Sequence, residues 1–270
     1  LSIQAAVDAA ESGDTISVQN GTYDEQVVIN KDISLFGNNA TITAPENRTQ
    51  FNIAESDEGW EPVVFAYGGS SQDSNVSGAE TVEVDIQGFV VDGADFEPKD
   101  RSVGILLRNV DGEVADNTVA GLDANAETFG ISVHGDSDLD VVGNHVSEFE
   151  RGGIGVLGNA NNFDDPASDV SVRDNTVVDP GTTGWAPNGI QFGYGGTGEI
   201  VDNTVSGINY SEGETAPGGV VVISTSDVEV RGNNISDNDG GIQVLGGEFF
   251  DDPVTTANVT IRNNTLSNNS

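Results

Sequence analysis

The side chains best suited to catalysis are scarce in this sequence. His134 and His145 are its only histidines, and nine Lys plus Arg stand against 45 Asp plus Glu. His134 with Arg108, Arg151 and Glu150 forms the best catalytic set, in which His134 would act as general base and an arginine would neutralise a substrate carboxylate. The alternative is that these are exposed polar residues in ordinary salt bridges. Residue types alone leave both interpretations open.

A duplicated acidic motif is the candidate metal site. Asn162-Phe-Asp-Asp-Pro166 and Phe250-Asp-Asp-Pro253 each follow a Val-Leu-Gly segment. Carboxylate oxygens are the ligands that Ca²⁺ prefers, so calcium is the one cofactor that the sequence suggests. The alternative is that the Phe packs onto the protein and Asp-Asp-Pro forms a turn. The candidate ligands are Asp164, Asp165, Asp251 and Asp252.

Aromatic and amide side chains are candidate glycan contacts. The rings of Trp185 and Tyr194 would stack on sugars if they line one groove, with Gln191 and Gln243 beside them. Otherwise these rings simply cover neighbouring chain. Nine Asn-X-Ser/Thr sequons permit a glycosylated surface protein. They begin at Asn20, Asn39, Asn47, Asn75, Asn209, Asn234, Asn258, Asn263 and Asn268.

Charge and composition restrict the partners. A formal net charge of −36 over 270 residues opposes binding to phosphate backbones and anionic lipid surfaces. No apolar run reaches the ~18 residues of a transmembrane helix. The absence of cysteine excludes disulfides, zinc–thiolate sites and a cysteine nucleophile. An acidic, lysine-poor surface is typical of proteins from high salt, and an acidic secreted protein that binds divalent cations is the alternative.

Internal repeats predict the elements that position these residues. The motif apolar-x-x-Asn-x-apolar recurs at intervals of 27 to 31 residues, and a Gly-apolar-x-apolar strand, such as Gly130-Ile-Ser-Val133, lies between its copies. Three short alternating strands per repeat predict a single-chain parallel β-helix, an all-β fold. Asparagine tolerates the left-handed turn between two strands and can hydrogen-bond to the next coil, so its column should form a structural ladder. The ladder residues are Asn117, Asn144, Asn175, Asn203, Asn233 and Asn264.

One β-helix domain over residues 1–270 is expected. Apolar residues at helical spacing after Ser2 predict a capping helix within residues 1–12, and residues 13–270 form the coils. The sequence shows no capping helix after the last ladder motif, so we expect the chain to be trimmed there or to continue.

The opening coil carries a family resemblance. Residues 13–30, from Gly-Asp-Thr-Ile to Val-Val-Ile-Asn, and their continuation to Ile42 resemble the first coil of the pectin lyase-like superfamily, especially pectin methylesterases and NosD-type repeat proteins. The resemblance implies a right-handed β-helix with its active site on the outer face of the Gly-Ile strands. Alternation places Arg108, Ser132 and His134 on that face. No carboxylate is expected there, so the paired Asp of the family's hydrolases and esterases is missing.

These observations favour a structural or adhesive module. We expect an extracellular or cell-surface β-helix that is adapted to high salt and able to form part of a larger surface assembly, and we expect no signal sequence within this chain. Glycans, other cell-surface proteins or self-assembly are the expected partners. The alternatives are a polysaccharide-active enzyme (a lyase, hydrolase or esterase on acidic glycans) and a non-catalytic carbohydrate-binding module.

Overall fold

A computed structural model describes most of the chain. The described residues are 2–56, 59–93, 101–122, 127–158, 168–178, 180, 184, 186–210, 217–246 and 256–270. One short helix, α1 (Ile3–Ala9), precedes strands throughout. The strands are β1 (Asp14–Val18), β2 (Gly21–Asp24), β3 (Val27–Ile29), β4 (Ile33–Thr43), β5 (Phe51–Ile53), β6 (Gly59–Tyr67), β7 (Ser70–Gln72), β8 (Asn75–Ser77), β9 (Val82–Asp92), β10 (Arg101–Arg108), β11 (Val110–Ala115), β12 (Thr118–Ala120), β13 (Thr128–His134), β14 (Asp138–Val142), β15 (His145–Val146), β16 (Gly152–Leu157), β17 (Asp169–Arg173), β18 (Thr176–Val178), β19 (Asn188–Gly193), β20 (Thr197–Val201), β21 (Thr204–Ser206), β22 (Val220–Ile223), β23 (Val228–Arg231), β24 (Asn234–Ser236), β25 (Ile242–Leu245), β26 (Thr260–Arg262) and β27 (Thr265–Ser267).

The strands stack in three columns, as the repeat predicts. Equivalent strands of successive coils pair in parallel, as in Ile105↔Ile131 and Ile131↔Ile154, whereas β5 with β6 and β7 with β8 form antiparallel pairs outside this repeat. The Gly-Ile strands form one column, β6-β10-β13-β16-β19-β22-β25, which we call the Gly-Ile column. The strands before and after the ladder asparagine form the other two columns, which join through the long strands β4 and β9. The three-strand parallel coil is therefore confirmed.

The asparagine ladder is continuous. The backbone N–H and the Nδ2 of Asn144 both donate to Oδ1 of Asn175, at 2.9 and 3.0 Å, and the Nδ2 also donates to the Val114 carbonyl at 2.8 Å. Asn175 bonds in the same way to Asn203. The residue before the asparagine adopts left-handed φ, +52° at Asp116 and +56° at Asp174. The ladder thus satisfies buried polar groups at a tight corner, as predicted.

The N-terminal end of the stack, which we call the head, is closed by α1. Ser2 caps the helix by accepting the Ala5 N–H at 3.0 Å, and Ile3 and Val7 are buried over the first coil. The side-chain amide of Gln4 accepts the Val28 N–H at 2.6 Å and donates to the Val28 carbonyl at 3.1 Å. Gln4 therefore takes the place of a neighbouring strand along β3.

A second apolar cluster covers the outer face of the Gly-Ile column. Its members are outward side chains of the column, such as Trp60 and Phe65 of β6 and Leu106 of β10, together with Phe51 of β5 and Val76 of β8, strands that extend the sheet beyond β6. The expected outward direction of these strand positions is right, but an exposed outer face is wrong. The reason is that these apolar side chains gain more by packing on one another than by remaining in water.

Candidate functional site

His134, the candidate base, lies under this cover. It is 3% exposed, its Nε2 lies 2.9 Å from Oγ of the buried Ser132, and its ring meets the edge of Trp60 at a centroid distance of 5.0 Å. Its Nδ1 has no hydrogen-bond partner among the described residues, although the nearby Leu157 backbone favours the charged ring slightly. Covered by Trp60, His134 is not placed to reach a substrate.

Burial also removes the basicity of His134. Burial first, and then the positive charges of Arg101 and Arg108, lower the pKa of His134 from 6.5 to about 3. A general base works best with a pKa near the operating pH. The histidine is therefore neutral and a weak base at neutral pH.

We predict that His134 makes the fold acid-sensitive. The unfolded chain takes up a proton near pH 6.5 and the folded chain only near pH 3, so protons favour unfolding between these values. Wild type should lose more stability between pH 7 and pH 4 than His134→Gln, as measured by urea midpoints at both values. Equal losses in the two proteins would refute this role for the histidine.

Arg108 is held by a buried ion pair. Its Nε and Nη2 donate to the two carboxylate oxygens of Glu55, both at 2.7 Å, and Nη1 and Nη2 reach the carbonyls of Gly68 and Gly78. Arg108 and Glu55 are 2% and 6% exposed. Arg108 thus fastens segment 51–78 to β10 rather than meeting a ligand.

Glu150 is also built into the fold. It is 1% exposed, and its Oε2 accepts the Gly184 N–H at 2.7 Å. Its own backbone N–H donates to Thr128 Oγ1 at 2.8 Å. The four catalytic candidates therefore do not converge: His134, Arg108 and Glu150 are buried, and Arg151 alone reaches the surface.

Arg151 belongs to a cluster that the sequence analysis did not assemble. Arg101 Nε donates to Glu127 Oε2 at 2.7 Å, and Arg151 Nε lies 3.7 Å from Oε1 of the same carboxylate. The two arginine side chains are 24% and 28% exposed. The Arg101 guanidinium also lies 5.3 Å from the centre of the Trp60 ring. Arg101 is the first residue of β10 and Arg151 immediately precedes β16, and this shared position at a Gly-Ile strand was the available signal for their proximity.

Tyr194 adjoins these side chains. Burial raises the pKa of Tyr194, and the charges of Arg151 and Arg101 lower it, so the hydroxyl lies within electrostatic range of both arginines. Tyr194 has φ +56°, a left-handed conformation that is unusual for a bulky residue and tends to occur at functional sites. We call Arg101, Glu127, Arg151 and Tyr194 the arginine cluster.

The other glycan candidates have different surroundings. Gln191 is 6% exposed and accepts from Asn188 at 2.7 Å, while the Gln243 amide lies 3.4 Å from the Pro217 carbonyl. They occupy the same position of the Gly-Ile column two coils apart, on either side of Val221. Trp185 lies outside the described residues.

The calcium candidates also fall outside the described part of the chain. Asp164, Asp165, Asp251 and Asp252 are not among the described residues, so calcium binding stays a prediction. Within the described ranges, no three His, Asp or Glu side chains are grouped to hold a metal ion. The helix there is also too short to cross a membrane.

Glycine interrupts the acidic residues that precede the ladder asparagines at two places, Gly143 and Gly232. A Cβ at Gly143 would lie 2.6 Å from Oδ1 of Asp116, and one at Gly232 would lie 2.0 Å from Oδ1 of Asp202. Both glycines have positive φ, +66° and +71°. The carboxylates of Asp116 and Asp202 therefore rest against a glycine of the next coil, whereas Asp174 is followed there by Asp202.

The sequon asparagines differ from the ladder asparagines in exposure. All nine are exposed, whereas the ladder residues from Asn117 to Asn233 are buried. Exposure leaves each sequon accessible to modification, and their occupancy stays a prediction.

Comparison with known proteins gives the family. The family model described as "Right handed beta helix region" matches residues 129–270, and the chain belongs to this family. The predicted right-handed β-helix is confirmed. No curated protein sequence matches the chain.

Solved structures with a similar fold share little sequence with it. The A-module of Azotobacter vinelandii mannuronan C-5 epimerase AlgE6 is 14% identical, with 98% of this chain and 81% of that chain covered and a TM-score of 0.44. Geobacillus virus E2 ORF18 is 13% identical over 98% of this chain, which spans 55% of it, with a TM-score of 0.48. PfbA, a surface adhesin of Streptococcus pneumoniae, is 13% identical, with 99% and 86% covered and a TM-score of 0.36.

Proposed function

We propose that this chain is a non-catalytic, extracellular or cell-surface adhesive module whose arginine cluster binds carboxylate groups of acidic glycans. One observation carries the proposal: three of the four catalytic candidates are buried under protein, whereas Arg101 and Arg151 reach the surface on the same face. Guanidinium groups bind carboxylates by charge-assisted hydrogen bonds. The half-buried Tyr194 adds an aromatic surface beside them.

The charge distribution supports this location. Arg101 and Arg151 both lie beside the carboxylate of Glu127, in a protein of net charge −36. Arg173 contacts both Asp140 and Glu113, and Arg231 contacts both Glu199 and Glu229. The two neighbouring, partly exposed guanidinium groups of the arginine cluster are the groups that we expect an anionic ligand to contact.

The proposal also includes the environment of the protein, which is high salt outside the cell or at its surface. The high negative charge favours an environment of high salt, where screening reduces self-repulsion. Exposed sequons and an acidic surface are consistent with a secreted or surface-attached protein.

Binding to acidic oligosaccharides tests the proposal. We expect a uronate oligomer to bind and its neutral counterpart to bind at least about tenfold more weakly, and Arg151→Ala to weaken uronate binding by about tenfold, since a hydrogen bond to a charged group contributes about 1.5–3 kcal/mol. Arg173→Ala, which removes an arginine of similar exposure from another face, is the matched control. Equal affinities for Arg151→Ala and wild type would refute the site.

An enzyme on acidic glycans remains the second candidate because of one contact. Ser132 Oγ and His134 Nε2 are 2.9 Å apart, the spacing of a nucleophile and its base. A depolymerisation and ester-hydrolysis screen at molar salt, with and without Ca²⁺, separates the candidates. Product release that is lost in Ser132→Ala or His134→Gln would establish the enzyme and overturn the adhesive proposal.

A further inference from the structure

The carboxylate of Glu127 lies between the two arginines of the arginine cluster. Arg101 begins β10, Glu127 precedes β13 and Arg151 precedes β16, so the three side chains come from successive coils. Glu127 Oε2 accepts from Arg101 Nε at 2.7 Å, whereas its Oε1 lies 3.7 Å from Arg151 Nε, which is beyond hydrogen-bond distance. Glu127 therefore occupies the position that a ligand carboxylate would take between the two guanidinium groups, but it hydrogen-bonds to only one of these two arginines.

Both arginines have an anchor other than Glu127. The Arg101 guanidinium lies 5.3 Å from the centre of the buried Trp60 ring, which is within the range of a cation–π contact. Arg151 Nη1 donates to the Ala186 carbonyl at 3.1 Å. We therefore expect both guanidinium groups to keep their positions when the Glu127 side chain rotates away.

The buried pair of Arg108 and Glu55 provides the contrast. There both carboxylate oxygens accept at 2.7 Å, and the two side chains are 3% and 7% exposed. The side chain of Glu127 is 20% exposed. Because solvent screens a partly exposed ion pair and reduces its contribution to stability, the Glu127 carboxylate can leave its arginines at far lower cost than Glu55 can.

We infer that Glu127 is an internal competitor of the ligand, whose carboxylate displaces that of Glu127 from the arginine cluster. The inference rests on the proposed function, since it concerns the same arginines and the same acidic glycans. Displacement exchanges one carboxylate for another, so a ligand gains only what Glu127 lacks. A carboxylate that hydrogen-bonds to Arg101 alone gains nothing, whereas one that hydrogen-bonds to both Arg101 and Arg151 is preferred. Glu127 thus determines which anions bind.

Glu127→Gln tests this inference because it keeps the shape of the side chain and removes the competing charge. We expect the variant to bind a uronate oligomer about tenfold more tightly than wild type at about 0.1 M NaCl. Its affinity should also fall more steeply than that of wild type between about 0.1 M and about 1 M NaCl, because binding then adds an ion pair instead of exchanging one. Titration calorimetry at several salt concentrations measures both effects.

Glu229→Gln is the matched control. Glu229 also lies beside two arginines, Arg231 at 3.6 Å and Arg262, and its side chain is 32% exposed, but it belongs to the ladder-side strand β23. We expect this variant to bind the uronate oligomer as wild type does, since Arg231 keeps its contact with Glu199 at 3.0 Å. Urea midpoints of wild type and both variants should agree closely, because each change affects only partly exposed ion pairs.

The possible results separate this inference from the proposed function. Binding that Arg151→Ala weakens, but whose affinity and salt dependence are the same in wild type and Glu127→Gln, would overturn the inference and leave the binding site in place. Weaker binding by Glu127→Gln than by wild type would show that Glu127 positions the arginines, and would also overturn it. No binding by either protein would overturn the proposed function and the inference with it.

Discussion

Arg108→Met should destabilise the protein by about 3–5 kcal/mol, the usual cost of removing one partner of a buried ion pair. The substitution leaves the Glu55 carboxylate without the two 2.7 Å bonds that hold it, removes the Arg108 donor from the Gly68 carbonyl, and leaves the Gly78 carbonyl with Asn109 Nδ2 as its donor. Because Arg108 holds Glu55, Gly68 and Gly78 to β10, the chain on either side of β6 should loosen first. The free energy of unfolding from urea titration measures the effect.

Arg262→Met is the matched control for this variant. Arg262 also pairs with a glutamate, Glu229, but its side chain is 53% exposed, so solvent screens the pair and its loss should be barely measurable. Combining Arg108→Met with Glu55→Gln should cost less than the sum of the single changes, because no unpaired charge then remains buried. Similar losses of unfolding free energy for Arg108→Met and Arg262→Met would contradict a stabilising role for the Arg108–Glu55 ion pair.

Asn175→Ala should cost about 3–6 kcal/mol, because it leaves two or three buried polar groups unpaired at about 1–3 kcal/mol each. Its Oδ1 accepts the N–H and the Nδ2 of Asn144 at 2.9 and 3.0 Å, and its Nδ2 donates to the Val141 carbonyl at 2.8 Å. Asn175 is 1% exposed, so water does not replace these bonds without a change in the coil. Circular dichroism during urea titration is the measurement.

Position along the ladder provides the comparison. Asn264→Ala removes the same side chain at a partly exposed ladder position, where water reaches the freed groups of this chain, and should cost about 1 kcal/mol. Asn234→Ala, at an exposed position one residue after ladder Asn233, should change stability little. If Asn175→Ala were as mild as Asn234→Ala, the ladder would not stabilise the solenoid.

The two faces of one strand explain how this solenoid separates stability from binding. In β13 the inward Ile131 and Val133 belong to the central core, while the outward Ser132 and His134 lie beneath Trp60. The second apolar cluster occupies the outer face of the Gly-Ile column in the coils near the N-terminus. Arg101 and Arg151 remain accessible because they lie at the start of their strands, at the border of the covered area.

The sequence by itself determined the coil. Alternation and turn chemistry within one repeat predict the strands, the inward residues and the asparagine ladder, and these local signals recur in each repeat. Local sequence also predicts the N-cap at Ser2. The glycines Gly143 and Gly232 are visible in the sequence beside the ladder asparagines, but their contact with the carboxylates of Asp116 and Asp202 is visible only in the structure.

Only the tertiary structure decided which outward residues meet solvent. The sequence around Glu55 and Trp60 does not follow the repeat motif. Periodicity therefore does not predict that Glu55 pairs with Arg108 or that Trp60 packs against His134. The association of Arg101, Glu127 and Arg151 likewise depends on how successive coils place strand beginnings side by side. Repeating local preferences build the solenoid, whereas its candidate functional surface depends on non-repeating contacts between residues distant in sequence, and alternation cannot specify those contacts.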